Sequence, residues 1–111
     1  MNKAPFVKNA ELQAVNQRPG LTRRTMTYNE DIMMCMFEEE QGFTLELHTH
    51  EAVQNGYMIS GKVKFFKEDG SYIIVEPGDS YTFDSMEAHG SECLEHAVFI
   101  ECFTPMRQEY M

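Results

Sequence analysis

The sequence lacks the features of a membrane-spanning, secreted or nucleic-acid-binding protein. No apolar run approaches the roughly 20 residues that a helix needs to span a bilayer, so we expect no membrane segment. The N-terminus has no charged region followed by an apolar stretch and a cleavage site, and we therefore expect a cytoplasmic location. Basic residues number 9 against 18 acidic ones, and the net charge of −9 argues against nucleic acid or anionic lipid as a partner.

Cysteine is also scarce. Cys35, Cys93 and Cys102 are an odd number without Cys-x-x-Cys spacing, so we expect buried, reduced thiols and no disulfide framework. The rest of the composition is that of one folded domain, because 111 residues with 42% hydrophobic content can build a single core but not two.

The sequence does contain many short apolar runs separated by glycine and charged residues. Ile32–Phe37 is a run whose length favours a buried strand, and we interpret Glu38–Glu40 after it as a solvated turn. Gly56–Gly61 and Lys62–Glu68 are predicted as two strands, and Ala97–Phe103 as the last clear one. Many short strands with almost no helix signal predict an all-β sandwich or barrel.

Histidines are concentrated where a metal site would need them. His48 and His50 are two apart on a predicted strand, so their side chains point to the same side. Gln54 follows on the same segment, and His89 comes after a turn signal. Imidazole is the commonest protein ligand for first-row transition metals, so this pattern predicts a metal site. His96 is interpreted as a solvated or structural histidine.

The spacing of these donors resembles the first signature of the cupins: Gly, five residues, His-x-His, three residues, a donor, six residues, Gly. The matching residues are Gly42, His48, His50, Gln54 and Gly61. In the second signature Gly78 and His89 match, whereas other residues stand where proline, glycine and asparagine are usual: Asp84, Met86 and Cys93. The resemblance covers about residues 30–104.

This resemblance implies an all-β cupin fold, a double-stranded β-helix or jelly-roll barrel with a metal inside it. We expect an N-terminal arm over residues 1–22, a single cupin barrel over residues 23–111 and strands beginning near Thr25. The implied cofactor is one divalent ion, Zn, Ni, Mn or Fe, held by four residues: His48, His50, Gln54 and His89. Four neutral ligands leave positions open on the ion, as Lewis-acid chemistry requires.

The C-terminal sequence Glu101-Cys-Phe-Thr-Pro-Met-Arg107 resembles the ending of the small KdgF-type cupins of pectin degradation. Members of this type also use glutamine as the fourth ligand, and they open the ring of an unsaturated uronate without redox chemistry. The resemblance implies that Glu101 carries a proton as a catalytic residue, that Phe103 walls the cavity, and that Arg107 binds the carboxylate of a sugar acid. A carboxylate suits general acid–base work, and a guanidinium suits bidentate binding of a carboxylate.

Two other functions stay open at this point. A small metal-dependent dioxygenase would use the same open site for O₂ and an enol-like substrate. A non-enzymatic cupin would use its cavity only to bind a small ligand, so whether the protein is an enzyme is also open. A narrow cavity with four apolar residues in its wall would favour a small apolar ligand: Met33, Met58, Phe83 and Phe99.

The predicted strand that carries the first histidines has two different faces. Glu46 shares the face of His48 and His50 and is therefore a second candidate for substrate binding and proton transfer, one that the family resemblance does not name. The opposite face is apolar and needs cover from a neighbouring sheet or a second subunit; it consists of Phe43, Leu45 and Leu47. Together with the N-terminal arm, this face predicts a two-fold homodimer.

Overall fold

The computed structural model of the protein describes residues 5–111, so the first four residues of the predicted arm lie outside the described residues. Within this range eight strands and two single-turn 3₁₀ helices follow one another: η1 (Asn9–Glu11), β1 (Val15–Arg18), β2 (Leu21–Tyr28), β3 (Met33–Glu39), β4 (Thr44–His48), β5 (Val53–Lys67), β6 (Tyr72–Val75), β7 (Ser80–Phe83), β8 (His89–Thr104) and η2 (Gln108–Tyr110). The all-β prediction is confirmed. Neither short helix of residues 5–111 has the length or apolar character needed to cross a membrane.

The two longest strands, β5 and β8, organise the sheet. They pair with each other, and all strand pairs are antiparallel in the order β1-β2-β3-β8-β5-β6. The first part of β8 also pairs with β4 and its second part with β3, whereas β5 pairs with β7 at its start and β6 at its end. Each long strand therefore belongs to two parts of the sheet, which curves it around one core.

The two strands predicted to meet at Gly61 are one continuous strand, β5. The pairing of β5 with β8 is irregular between Met58 and Val63, as at a β-bulge. Gly61 has φ +85°, and a Cβ atom there would lie 2.1 Å from the carbonyl oxygen of His96. Glycine therefore bends β5 sharply at this point without ending it.

The sheet begins earlier than predicted. Strands were expected near Thr25, but β1 already runs over Val15–Arg18 and pairs with β2, which starts at Leu21. Leu21 is buried in the core. The last part of the predicted arm therefore extends the sheet as its edge strand.

Strand β3 is buried as predicted, but the acidic run after it is not a solvated turn. Every second residue of β3 is buried, and the alternation continues through Phe37 to Glu39, which is only 3% exposed. Glu39 is the last residue of the strand and pairs with Ala97 of β8. Three consecutive glutamates show no alternation between polar and apolar residues, so the sequence pattern does not reveal that Glu39 points inward.

Candidate metal centre and its cavity

Three histidines converge at one place, as the sequence predicts. His48 ends β4, His50 lies just after it, and His89 begins β8 directly opposite His48. One ring nitrogen from each lies within 4.8 Å of the others. The antiparallel pairing of β4 with β8 thus joins histidines that are far apart in sequence, and we call these three residues the histidine cluster.

The backbone orients all three rings in the same way. Each Nδ1 atom lies within hydrogen-bond distance of a main-chain carbonyl two residues away, at 3.0 Å for His48, 2.7 Å for His50 and 2.8 Å for His89. A carbonyl oxygen only accepts, so Nδ1 carries the proton and Nε2 keeps its lone pair. This is the arrangement of neutral imidazoles that bind a metal through Nε2.

The electrostatics of the cluster also suit a cation. Burial lowers the pKa of His89 to about 4, and burial together with the nearby Arg107 charge lowers the pKa of His50. The Nε2 atom of His50 is buried and has no hydrogen-bond partner among residues 5–111. An orphaned buried nitrogen is unfavourable unless it gains a partner. The residues present therefore fit a divalent metal ion.

Gln54 lies where a fourth ligand is predicted. It is buried on β5, and its Nε2 donates a hydrogen bond to Glu101 Oε2 at 3.0 Å. This bond fixes the amide and leaves its oxygen, the atom that binds metals, for other contacts. The Gln54 side chain also acts to raise the pKa of His50, so the amide is close to that ring although the pair does not reach hydrogen-bond geometry.

Glu101 is buried beside the histidine cluster and accepts two hydrogen bonds on one oxygen. Tyr81 donates to the same Oε2 atom from 2.5 Å. Burial raises the pKa of Glu101 to about 7, although the hydrogen bonds from Tyr81 and Gln54 and the charge of Arg107 act to lower it. A carboxyl group with a pKa near 7 can both accept and donate a proton at neutral pH.

Tyr81 is a residue of this site that the sequence analysis missed. Glu101 and Tyr81 both pair with Gly56, one on each side of β5. A Cβ atom at Gly56 would lie 2.2 Å from the Tyr81 ring, so only glycine lets that ring cross the strand. A glycine inside a strand signals such a close approach and was the available clue.

The C-terminal segment packs over this region through aromatic rings. Phe103 is buried with its ring 6.1 Å from that of His50. The Arg107 guanidinium stacks on Tyr110 at 4.3 Å and lies 5.3 Å from the centre of Phe103. Arg107 also donates to Glu109 at 3.1 Å, but its side chain is only 16% exposed whereas that of Glu109 is 61% exposed. An ion pair with such an exposed partner contributes little free energy.

Most of the predicted site residues border one of two spaces whose linings share Arg107, whereas Phe103, which was expected to wall the cavity, is not in the lining of either. An inner cavity of about 50 Å³ is bordered by six polar residues, among others: Glu39, His48, Gln54, His89, Glu101 and Arg107. A wider outer groove of about 740 Å³ has His50 and Arg107 in its wall. Of the four residues expected around an apolar site only Phe99 borders the inner cavity. The wall mixes the polar groups named above with other apolar residues: Leu21, Phe37, Leu45 and Phe65.

Glu46 does not join this group. Its side chain is exposed and borders neither space. The pairing of β4 with β8 is irregular between Leu45 and His48, so Leu45 shares the inner cavity with His48. The prediction that Glu46 shares the histidine face and that Leu45 lies opposite it is therefore wrong, because a bulge breaks the alternation.

Antiparallel strands that curve around one core, with three histidines converging from β4 and β8, define a jelly-roll protein with a candidate metal centre. The family model described as Cupin domain matches residues 35–102. The chain belongs to the cupin family.

Among known cupins, the chain is similar to the following proteins. The chain is 30% identical to the pectin degradation protein KdgF of Dickeya dadantii (strain 3937) over 94 residues, which are 83% of this chain and 84% of that protein. The structure of KdgF from Halomonas sp. is 26% identical, with a TM-score of 0.90 over 97% of this chain and 99% of that one. An RmlC-like cupin from Shewanella frigidimarina NCIMB 400 has a TM-score of 0.91 over 97% and 96% at 22% identity, which supports the fold alone.

Proposed function

We propose that the protein is a metal-dependent enzyme that opens the ring of unsaturated uronates, as the resemblance to KdgF-type cupins implies. The observation that carries the proposal is Glu101, a buried carboxyl with a pKa near 7 that borders the inner cavity together with His48, His89 and Arg107. The similarity to two proteins named KdgF over most of the chain supports it.

The metal would be held by His48, His50 and His89, with the amide oxygen of Gln54 as the fourth ligand. Such an ion, when bound, would polarise oxygen atoms of the substrate as a Lewis acid. Three imidazole nitrogens and an amide oxygen suit Zn, Ni, Mn and Fe, so the ligand set does not select among these metals.

Ring opening requires the movement of one proton and no oxidant. The C1 hydroxyl loses its proton, the C1–O5 bond breaks to leave an aldehyde and an enolate, and a proton added at C4 turns the enolate into a ketone. Glu101 would take the first proton and return it at C4. Tyr81 and Gln54 both bond Oε2, so Oε1 is the atom that would exchange the proton.

Arg107 would bind the substrate carboxylate in place of Glu109, and Phe103 would support its guanidinium. Free space of about 50 Å³ in the inner cavity is small for a whole sugar ring, whereas the outer groove is roomy. Because Arg107 borders both, the sugar would lie next to this residue, with its carboxylate on the groove side and its ring directed towards the inner cavity.

The experiment that tests this function follows the ultraviolet absorbance of 4,5-unsaturated galacturonate with the metal-loaded protein. We expect the absorbance to disappear faster than in buffer, without consumption of oxygen. Absorbance loss at the spontaneous rate would refute the activity, and oxygen uptake with an enol-like substrate would instead identify a dioxygenase. Binding without either change would identify a non-enzymatic ligand-binding cupin.

The homodimer stays part of the proposal, but a different surface supports it. Phe43 packs against the core and Leu45 borders the inner cavity, so the predicted apolar face does not exist as one surface. The outward face of β5 exposes Val53, Tyr57 and Ile59 at 39%, 52% and 43%. A particle mass equal to one chain at micromolar concentration would refute the dimer.

We also propose that the protein is cytoplasmic and that its partner is a small molecule.

A further inference from the structure

Glu39 is a second buried carboxyl in the inner cavity, and the proposed reaction does not use it. It ends β3, is 3% exposed and borders the same cavity as His48 and Glu101. In the β3–β8 ladder the stacked rings of Phe37 and Phe99 lie between the pair that contains Glu39 and the pair that contains Glu101. The two carboxyls therefore approach the cavity from different positions.

Neither a hydrogen bond to Oε1 nor a nearby positive charge from the described residues stabilises the ionised form of Glu39. Its Oε1 atom is buried and has no hydrogen-bond partner among residues 5–111. The influences on its pKa are burial and the charge of Glu101, and both are unfavourable to the ionised form. Buried polar groups without a partner are rare and destabilising, which makes them candidates for contact with a ligand.

The protonation state of Glu39 decides whether its carboxyl can donate a hydrogen bond or only accept one. Burial, reinforced by Glu101, raises its pKa to about 8, so at neutral pH most molecules carry a proton on this carboxyl. A protonated carboxyl is a hydrogen-bond donor, whereas a carboxylate only accepts. Glu39 also stands outside the group of donor atoms within metal-binding distance of one another, which is the histidine cluster alone among the described residues.

We infer that Glu39 is a specificity-determining residue whose carboxyl hydrogen-bonds an oxygen of the ligand in the inner cavity. The inference rests on the proposed function for the ligand's class, a hydroxylated sugar acid. Such a ligand supplies hydroxyl and carbonyl oxygens, which an apolar ligand of the same size lacks. The Glu39 carboxyl thus favours ligands that place an oxygen atom next to it, in a cavity whose wall also includes Phe37 and Phe99.

Two variants separate this role from a structural one. Glu39→Met removes the hydrogen-bonding group and keeps the approximate shape, whereas Glu39→Gln keeps an N–H donor. Glu40→Met is the matched control, because Glu40 is the exposed neighbour of Glu39. Each is compared with the wild type as metal-free protein by thermal unfolding, and as zinc-loaded protein by calorimetric titration with D-galacturonate, a saturated relative of the proposed substrate.

We expect Glu39→Met to unfold at a higher temperature than the wild type and to bind galacturonate about tenfold more weakly or worse. Glu39→Gln should bind within about threefold of the wild type, and Glu40→Met should leave binding unchanged. A lower unfolding temperature or failure to fold for Glu39→Met would indicate a structural role and overturn the inference. Unchanged binding by that variant, or no binding by the wild type, would overturn it as well.

The failure of the proposed function gives a different result. If the wild type binds galacturonate but leaves the absorbance of the unsaturated uronate unchanged, the ring-opening activity is refuted. The inference about Glu39 then stands or falls on the stability and binding of its variants.

Discussion

The histidine cluster and the Glu39 end of the inner cavity show two ways of burying polar groups. In the cluster each ring has a main-chain carbonyl beside its Nδ1 atom, which leaves Nε2 as the only open position. Glu101 next to it accepts two side-chain hydrogen bonds on one oxygen. Glu39 has an oxygen without any partner among the described residues. The comparison shows that the fold orients the Nε2 atoms of the first region as a cation site requires. In the second region it leaves a carboxyl oxygen without a hydrogen-bond partner, which a ligand could supply.

The strongest way to break this comparison is to remove the histidines. Changing both His48 and His50 to Ala should lower the affinity for a divalent ion by about 10³-fold or more, because two of the four proposed ligands are lost. Elemental analysis after dialysis measures the effect, with His96→Ala as the control because His96 is exposed and pairs with Glu38. Metal retained undiminished in the double variant would contradict the assignment.

A second change tests whether Glu101, the carboxyl that accepts two hydrogen bonds, carries the proton in the reaction. Glu101→Gln keeps the shape and removes the proton carrier, so turnover of the unsaturated uronate should fall by roughly 10²-fold. Glu92→Gln is the matched control, since Glu92 is an exposed residue of the same strand. Equal turnover in Glu101→Gln and wild type would transfer the role to another group.

The pH dependence of stability compares the two carboxyls directly. Both have a pKa above the ordinary 4.5 in the folded protein, about 7 for Glu101 and about 8 for Glu39. The folded state therefore binds more protons than the unfolded one, and the stabilising contribution is complete below pH 4.5 and lost as pH rises through these values. The buried histidines act in the opposite direction at lower pH, since the pKa of His89 is about 4 against an ordinary 6.5.

We therefore expect metal-free wild type to lose stability between pH 6.5 and pH 8.5. Glu39→Gln should reduce that loss by about 2 kcal/mol, the value of roughly 1.5 pKa units. Urea unfolding at both pH values measures it, with Glu40→Gln as the control. Parallel losses in Glu39→Gln and the wild type would show that Glu39 does not titrate in this range.

The smallest expected effect concerns the edge of the site. Arg107→Ala should weaken binding of galacturonate by at least about tenfold, because one charge-assisted contact is worth about 1.5 kcal/mol or more. A neutral sugar such as galactose should bind both proteins alike. The same weakening with galactose would show that Arg107 maintains the packing of Tyr110 and Phe103 and does not bind a carboxylate.

The sequence by itself determined the strand-rich fold and the histidines of the candidate metal centre. Both depend on local regularities: the alternation of side chains along a strand, and the spacing of His48, His50 and His89 against glycines. Glu101 and Phe103 were indicated by the family resemblance and not by this regularity, and both are buried on β8.

Only the tertiary structure decided which residues surround that centre. A bulge turned Glu46 outward and Leu45 inward, and the period of β3 buried one glutamate of three. Tyr81 reaches Glu101 because Gly56 leaves room for its ring. These outcomes depend on strand pairing and on space between distant segments, which residue spacing along one chain does not encode.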